Sequence, residues 1–352
     1  MDKPDGGLGR NLYKLLEIDP GASPQVVTAA YKALSVKYAP RAANDDQRKT
    51  QDLNIARDIL IDPTKREGYD FYLRNRASRT IGHYVIESEL PAGGHCEVYK
   101  ATHEITEKPV VIKHCRGLSS ENRAILIEEA RILSDIRHFA IPKFRDIFTL
   151  NDGSIVLVED YIPGPTLSEL VTACGQLNAE TVCWITGRIL QILKYLHYNG
   201  VVHGDIKPEN IVLWPDEHQA FLIDFGIAAF MPIPGSKNRG WVEVYSPPEQ
   251  QPPDRKRLVP QNDFYSLGMT MLFMINKDMN LVRDKKIPKS LPEPVLQFIR
   301  RMIRANPDDR PNWANEDIEA TLLEVRQQAF NQTRSGFASI PDWRDKLAYS
   351  SR

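Results

Sequence analysis

No stretch of this 352-residue chain approaches the ~20 consecutive apolar residues that a membrane-spanning helix needs. The longest candidate, "MTMLFMIN" at residues 269–276, is short and reads as a buried helix. A surplus of charge is missing too. Lys and Arg number 45 against 46 Asp and Glu, a net charge of −1, so bulk attraction to nucleic acid or to an anionic membrane is excluded. The four cysteines, Cys96, Cys115, Cys174 and Cys183, form no CxxC pair. That argues against disulfide or zinc frameworks and fits a reducing cytoplasm. The opening "MDKPDGGLGRN" lacks an apolar core and does not read as a secretory signal. Internal repeats are absent. What remains is ordinary: 26% charged and 42% hydrophobic residues, in a chain long enough for two or three domains.

Residues 11–75 predict helices. In "SPQVVTAAYKALSVKYAP", Val26/Val27, Ala30, Leu34 and Tyr38 recur near helical spacing, with Ser23 as N-cap and Pro24 at the first turn. A short helix, "NLYKLLEI", precedes it. A second long helix carries Leu53, Ala56 and Leu60 on one face and breaks or kinks at Asp62–Pro63. The basic stretch "RNRASRT" reads as a linker. Composition then turns β-branched and aromatic in "HYVIESEL", "EVYKATHE", "KPVVIKHC" and "SIVLVEDY", which predicts strands. After Gly164 the pattern is helical. "ETVCWITGRILQILKYLHYNG" is one long amphipathic helix stopped by Gly200, followed by the short apolar runs "VVH", "IVL" and "AFLID".

Four polar placements interrupt the apolar pattern. Lys113 ends the run Val110–Val111–Ile112, where its amine either enters a covered space or snorkels out. Glu129 falls inside the helical stripe of Ile125, Ile132, Leu133 and Ile136, and a carboxylate there needs a cationic partner, for which Lys113 is the nearest candidate. Asp205 and Asn210 stand five apart in "VVHGDIKPENIVL", and Asp224 follows the run "FLI". Oxygen ligands at strand ends suit a hard cation such as Mg²⁺. Each alone can be a turn residue. The order of all four argues against chance.

In this order the residues resemble the eukaryotic-like, Hanks-type Ser/Thr protein kinases, over roughly residues 82–330. The resemblance implies an α+β bilobal kinase fold, a small β-rich lobe and a large helical one, using ATP and Mg²⁺. "VVIK" resembles the β3 lysine motif, so Lys113 would contact the α/β-phosphates and pair with Glu129. "HGDIKPEN" resembles the catalytic loop: Asp205 would take the substrate hydroxyl proton, Lys207 would steady the γ-phosphate and Asn210 would hold metal. In "DFG", Asp224 would be the main Mg²⁺ ligand. "PPEQ" resembles the APE element, with Glu249 expected to pair with Arg310, and Asp263 of "DFYSLG" would brace the catalytic loop. Gly93, Gly94, Val98, Val111, Asp160, Tyr161 and Val212 would line the nucleotide site.

The chain departs from that family at named places. The glycine-rich loop "LPAGGHCEVYKA" puts Pro91 and Cys96 at two of the three customary glycines, so one donor and some space are lost. Gly204 replaces an arginine that reads activation-loop phosphorylation, and no Thr lies between Asp224 and Glu249. Glu159 stands at the gatekeeper position and Val111 replaces a customary Ala.

The N-terminal part resembles J-domains through "NLYKLLEID", "AAYKALSVKY" and "ARDILIDPTKREGYD". The family's His-Pro-Asp tripeptide is here Ala39–Pro40–Arg41, which argues against stimulation of an Hsp70 ATPase. The expected organisation is a J-like module at 9–75, a linker at 76–81, a kinase domain at 82–330 and a polar tail at 331–352. The expected function is protein Ser/Thr phosphorylation, with a protein partner for the J-like module and neither nucleic acid nor membrane. Two alternatives stand beside it: a pseudokinase scaffold, and a co-chaperone adaptor.

Overall fold

A computed structural model describes residues 11–38, 44–77, 80–91, 96–116, 119–214, 217–331 and 341. They fall into two compact units, one drawn from residues up to Pro91 with Val98–Val110, the other from Ala92–Glu97 with residues from Val111 onward.

The first unit starts with α1 (Leu12–Leu15), α2 (Pro24–Lys37), α3 (Asn44–Ile61) and α4 (Pro63–Ala77). Ser23 caps α2 through its hydroxyl, with Pro24 in the first turn. Asp62 ends α3 and starts α4, its Oδ1 accepting from the backbone of Thr64 and Lys65. Leu53, Ala56 and Leu60 are buried together with Leu12, Leu16, Val27, Leu34 and Tyr69. Val26 is 47% exposed, because Val27 and Leu34, two turns apart, take the inner face of α2. Leu12 N–H donates to the Tyr69 hydroxyl (2.8 Å), and the Tyr13 hydroxyl donates to Asp70 (2.6 Å). The tripeptide Ala39–Pro40–Arg41 lies outside the described residues. The stretch read as a linker holds the end of α4 and the start of β1 (Thr80–Ile81). Antiparallel β2 (Tyr84–Leu90) and β3 (Glu97–His103) follow, paired from Tyr84 with His103 to Leu90 with Val98.

The second unit begins within β4 (Pro109–Cys115) and continues with α5 (Ser120–Asp135), β5 (Phe144–Thr149) and β6 (Ile155–Asp160). β5 and β6 are antiparallel, with Phe144 opposite Glu159. The helical part contains α6 (Leu167–Cys174), α7 (Ala179–Tyr198), α8 (Pro260–Asn276), α9 (Met279–Arg283), α10 (Glu293–Met302) and α11 (Ile318–Phe330). Every residue of α8 from Asn262 to Asn276 is buried, which accounts for the apolar run at 269–276. Between α7 and α8 lie β7 (Val201–Val202), a 3₁₀ turn (Pro208–Asn210), β8 (Ile211–Trp214), β9 (Gln219–Leu222) and β10 (Ala229–Phe230). β8 pairs with β9, and β7 with β10. These short ladders hold the loop between β7 and β8, and the one after β9, against the helical core.

One sequence expectation is corrected. Cys96 and Cys115 form a disulfide, with Cα atoms 4.2 Å apart. The missing CxxC spacing carried no information here, because pairing depends on tertiary proximity and not on adjacency in the chain. In the denatured chain, iodoacetamide is expected to label Cys96 and Cys115 only after a dithiol reductant has been added, read by peptide mass spectrometry. For a 19-residue separation, removing the crosslink with Cys96→Ser is expected to cost about 3 kcal/mol. Among the described residues, no helix is long and apolar enough to cross a membrane.

Candidate active site

Lys113 lies on β4 and is 9% exposed. A buried ammonium requires compensation, and three carboxylates surround it. Its Nζ lies 2.5 Å from Glu129 Oε1, 3.0 Å from Asp224 Oδ1 and 3.9 Å from Glu159 Oε1. Glu129 comes from the inner face of α5, where it is 4% exposed. Burial pulls the Lys113 pKa down, but the negative charges of Asp224, Glu129 and Glu159 outweigh it and leave it well above the usual lysine value. The same ammonium holds Asp224 well below the usual carboxylate range.

Glu159 is a member that the motif reading noted as out of place without finding its partner. It is the penultimate residue of β6, after four apolar residues, and its Oε2 is buried with no hydrogen-bond partner among the described residues. Burial pushes its pKa from 4.5 up to about 7, against the pull of Lys113. The folded state therefore favours protonated Glu159. That contribution is fully present below the unfolded value of 4.5 and is lost as pH rises through about 7. Glu159→Gln keeps the shape without the charge. Its melting temperature relative to wild type is expected to rise between about pH 5 and about pH 8. A pH-independent difference would show that Glu159 does not titrate in that window.

The second group is the loop between β7 and β8. Asp205 is 7% exposed, and its Oδ2 accepts from Lys207 Nζ (2.7 Å) and Asn210 Nδ2 (2.9 Å). Asn210 Nδ2 also reaches the Asp205 carbonyl, at 2.9 Å. The loop backbone is held from α8: Asp263 Oδ2 accepts from His203 N–H (2.9 Å) and its Oδ1 from Gly204 N–H (2.7 Å). Gly204 has φ +77°, and a Cβ there would meet Leu258 Cδ1 at 2.6 Å. A side chain at that position, an arginine's included, would strain the backbone and displace Leu258.

A further brace escaped the sequence reading. The Trp313 indole N–H donates to His197 Nδ1 at 2.9 Å, which puts the proton of a neutral imidazole on Nε2. Nε2 lies 2.8 Å from Asp263 Oδ2, so His197 donates to the same carboxylate that fixes the loop. Its nearest sequence signal, a His in the last turn of an amphipathic helix, is too common to have singled it out.

Val111 and Val212, with Asp160 and Tyr161, also belong to the second unit. Val212 is buried on β8, and Asp160 is held by Arg145 through Nε (2.5 Å) and Nη2 (3.0 Å). Val98 lies on β3 in the first unit. Gly93 and Gly94 lie outside the described residues.

The donor set fits a hard divalent cation. Asp224 Oδ1 faces Lys113 while its side chain stays 44% exposed. Asn210 commits its amide N–H₂ to Asp205, leaving the carbonyl oxygen as the free pole. One carboxylate and one carbonyl, with phosphate oxygens and water, is a set that Mg²⁺ accepts.

Residues 84–321 match the family described as protein kinase domain, and residues 11–70 match the DnaJ domain. The chain is 30% identical over 222 residues to Serine/threonine-protein kinase D of Synechocystis sp., covering 57% of this chain and 42% of that protein. It is 31% identical over 290 residues to Serine/threonine-protein kinase PknG of Mycobacterium leprae, covering 74% and 35%. With Probable serine/threonine-protein kinase YbdM of Bacillus subtilis it shares 30% identity over 196 residues, 54% of this chain and 69% of that one. The chain thus spans less than half the length of the Synechocystis and Mycobacterium relatives.

Proposed function

This chain belongs to the protein kinase family, and on that premise we propose that it is an active serine/threonine protein kinase whose DnaJ-like segment engages a protein partner. The observation that carries the reading is the set of contacts around Lys113 and Asp205: both groups keep all their polar members and both are in bonding geometry. Asp224 and Asn210 would hold Mg²⁺, which would supply neutralisation of phosphate charge.

The chain's own residues do the rest. Glu129 fixes the Lys113 ammonium at the position where nucleotide phosphate is neutralised. Asn210 and Lys207 hold the Asp205 carboxylate, which accepts the proton of the substrate hydroxyl. The hydroxyl oxygen then bonds to the γ-phosphorus as the bond to the β–γ bridging oxygen breaks. Lys207 is also placed to meet negative charge on the moving phosphoryl group. The choice of Ser/Thr over Tyr rests on this lysine two residues after Asp205.

Regulation by activation-loop phosphorylation is not part of the reading. Gly204 offers no guanidinium, and the segment from Asp224 to Glu249 contains no Thr. The test is transfer of ³²P from [γ-³²P]ATP by the full chain, to itself or to a generic protein substrate, with and without Mg²⁺. ATP binding with no transfer to any protein would sink the proposal.

A further inference from the structure

Away from the active site, α7 and α11 pack antiparallel. A Cβ at Gly187 would touch Leu322 at 3.6 Å, and Lys194, two turns further along α7, pairs with Asp317 (3.3 Å) and Glu319 (3.1 Å) near the start of α11. At that end the lysine is compensated by two carboxylates. The other end holds two arginines. Arg326, one turn past Leu322, is 4% exposed, and its Nε and Nη2 are buried with no hydrogen-bond partner among the described residues. Arg188 on α7 is half-buried, with its Nε equally unpartnered among the described residues. Arg188 leans on the Trp184 ring, 5.5 Å from guanidinium to centroid, and its Nη1 reaches Gln191 Oε1 only at 3.5 Å. Burial and the Arg326 charge both push the Arg188 pKa down. Glu180 supplies the acidic residue in the first turn of α7, yet it leaves both of these guanidinium edges unfilled.

Two neighbouring guanidinium groups, one of them buried, are costly without a counter-charge. The unfilled edge of Arg326 is also specific. Nε and Nη2 present parallel N–H donors, and in this same chain Arg145 uses that edge to hold both oxygens of Asp160. We propose that Arg326 and Arg188 form a binding site for a compact oxyanion, a phosphate or carboxylate group, where α7 and α11 pack together. The anion would accept two parallel hydrogen bonds from Arg326 and one from Arg188 Nε. It would also relieve the repulsion between the two cations. Trp184 would form one wall, holding Arg188 by cation–π contact.

The test is thermal melting of the full chain in chloride buffer, titrated with inorganic phosphate or with acetate at matched ionic strength. Wild type is expected to gain about 2–5 °C at saturation with at least one of these anions. A preference for phosphate or for acetate identifies which oxyanion the site takes. Arg326→Met and Arg188→Met are each expected to lose that gain while keeping the stabilisation given by ATP with Mg²⁺, which separates this site from the active site. Without added anion, Arg326→Met is expected to melt at or above the wild-type temperature, since it removes buried donors that have no acceptor. An unchanged anion response in both variants would overturn the site. So would a wild type indifferent to both anions.

Discussion

Asp224→Asn is expected to reduce phosphoryl transfer by a factor on the order of 10³ or more, with little loss of fold. The variant removes the carboxylate best placed to hold Mg²⁺, and an amide oxygen is a much weaker ligand for that ion. It also removes one of the three carboxyl groups facing Lys113. Glu129 and Glu159 remain within 4 Å of the ammonium, so Lys113 stays in place. Asparagine is the better probe than alanine for a backbone reason. Asp224 sits at φ +64°, a left-handed conformation that Asp and Asn tolerate and that costs alanine more. Initial rates with [γ-³²P]ATP, alongside melting curves, separate lost chemistry from lost structure. Activity within tenfold of wild type would mean that Asp224 does not carry the metal.

The largest expected effect on stability is at Arg310. Its side chain is fully buried and its donors are all engaged. Nη1 and Nη2 hold the two oxygens of Glu249 at 2.6 and 3.0 Å. Nε bonds to the Arg304 carbonyl, Nη1 to that of Gln261 and Nη2 to that of Ala305. The guanidinium also lies over the Tyr265 ring, 4.9 Å from its centroid. Arg310→Ala leaves Glu249 as a buried carboxylate without a cation and strips three carbonyls of their donor. The expected cost is roughly 3–5 kcal/mol, on the order of 10 °C in melting temperature. Arg310→Lys is expected to recover little, because an ammonium cannot reproduce the planar fork. Glu249→Gln keeps an acceptor and is expected to cost less than Arg310→Ala. A loss below about 1 kcal/mol for Arg310→Ala would show that the pair contributes little beyond a surface bridge.

Much of the candidate site was legible in the sequence because its residues break local rules. Glu129 is a carboxylate on the apolar stripe of a helix. Lys113 ends an apolar strand, and Asp205, Asn210 and Asp224 flank short buried runs. Helical and strand periodicities are set by chain geometry, so a polar residue on the wrong face shows without knowledge of what it meets. The same logic gave the capped start of α2, the break at Asp62 and the buried helix at 269–276.

Other features depended on contacts that periodicity does not encode. Glu159 was visibly misplaced, yet its neighbour Lys113 is 46 positions away on another strand. The Cys96–Cys115 bond contradicted the spacing argument for the same reason. His197 and Trp313 read as ordinary helix and loop residues, and only the packing of α7 against α8 and the loop before α11 makes them a brace for the loop between β7 and β8. Arg188 and Arg326 are unremarkable as residues on amphipathic helices. The sequence by itself determined which residues could not rest quietly in their own helix or strand. The tertiary structure decided which partners they met, because charge compensation acts over a few ångströms in space and is indifferent to distance along the chain.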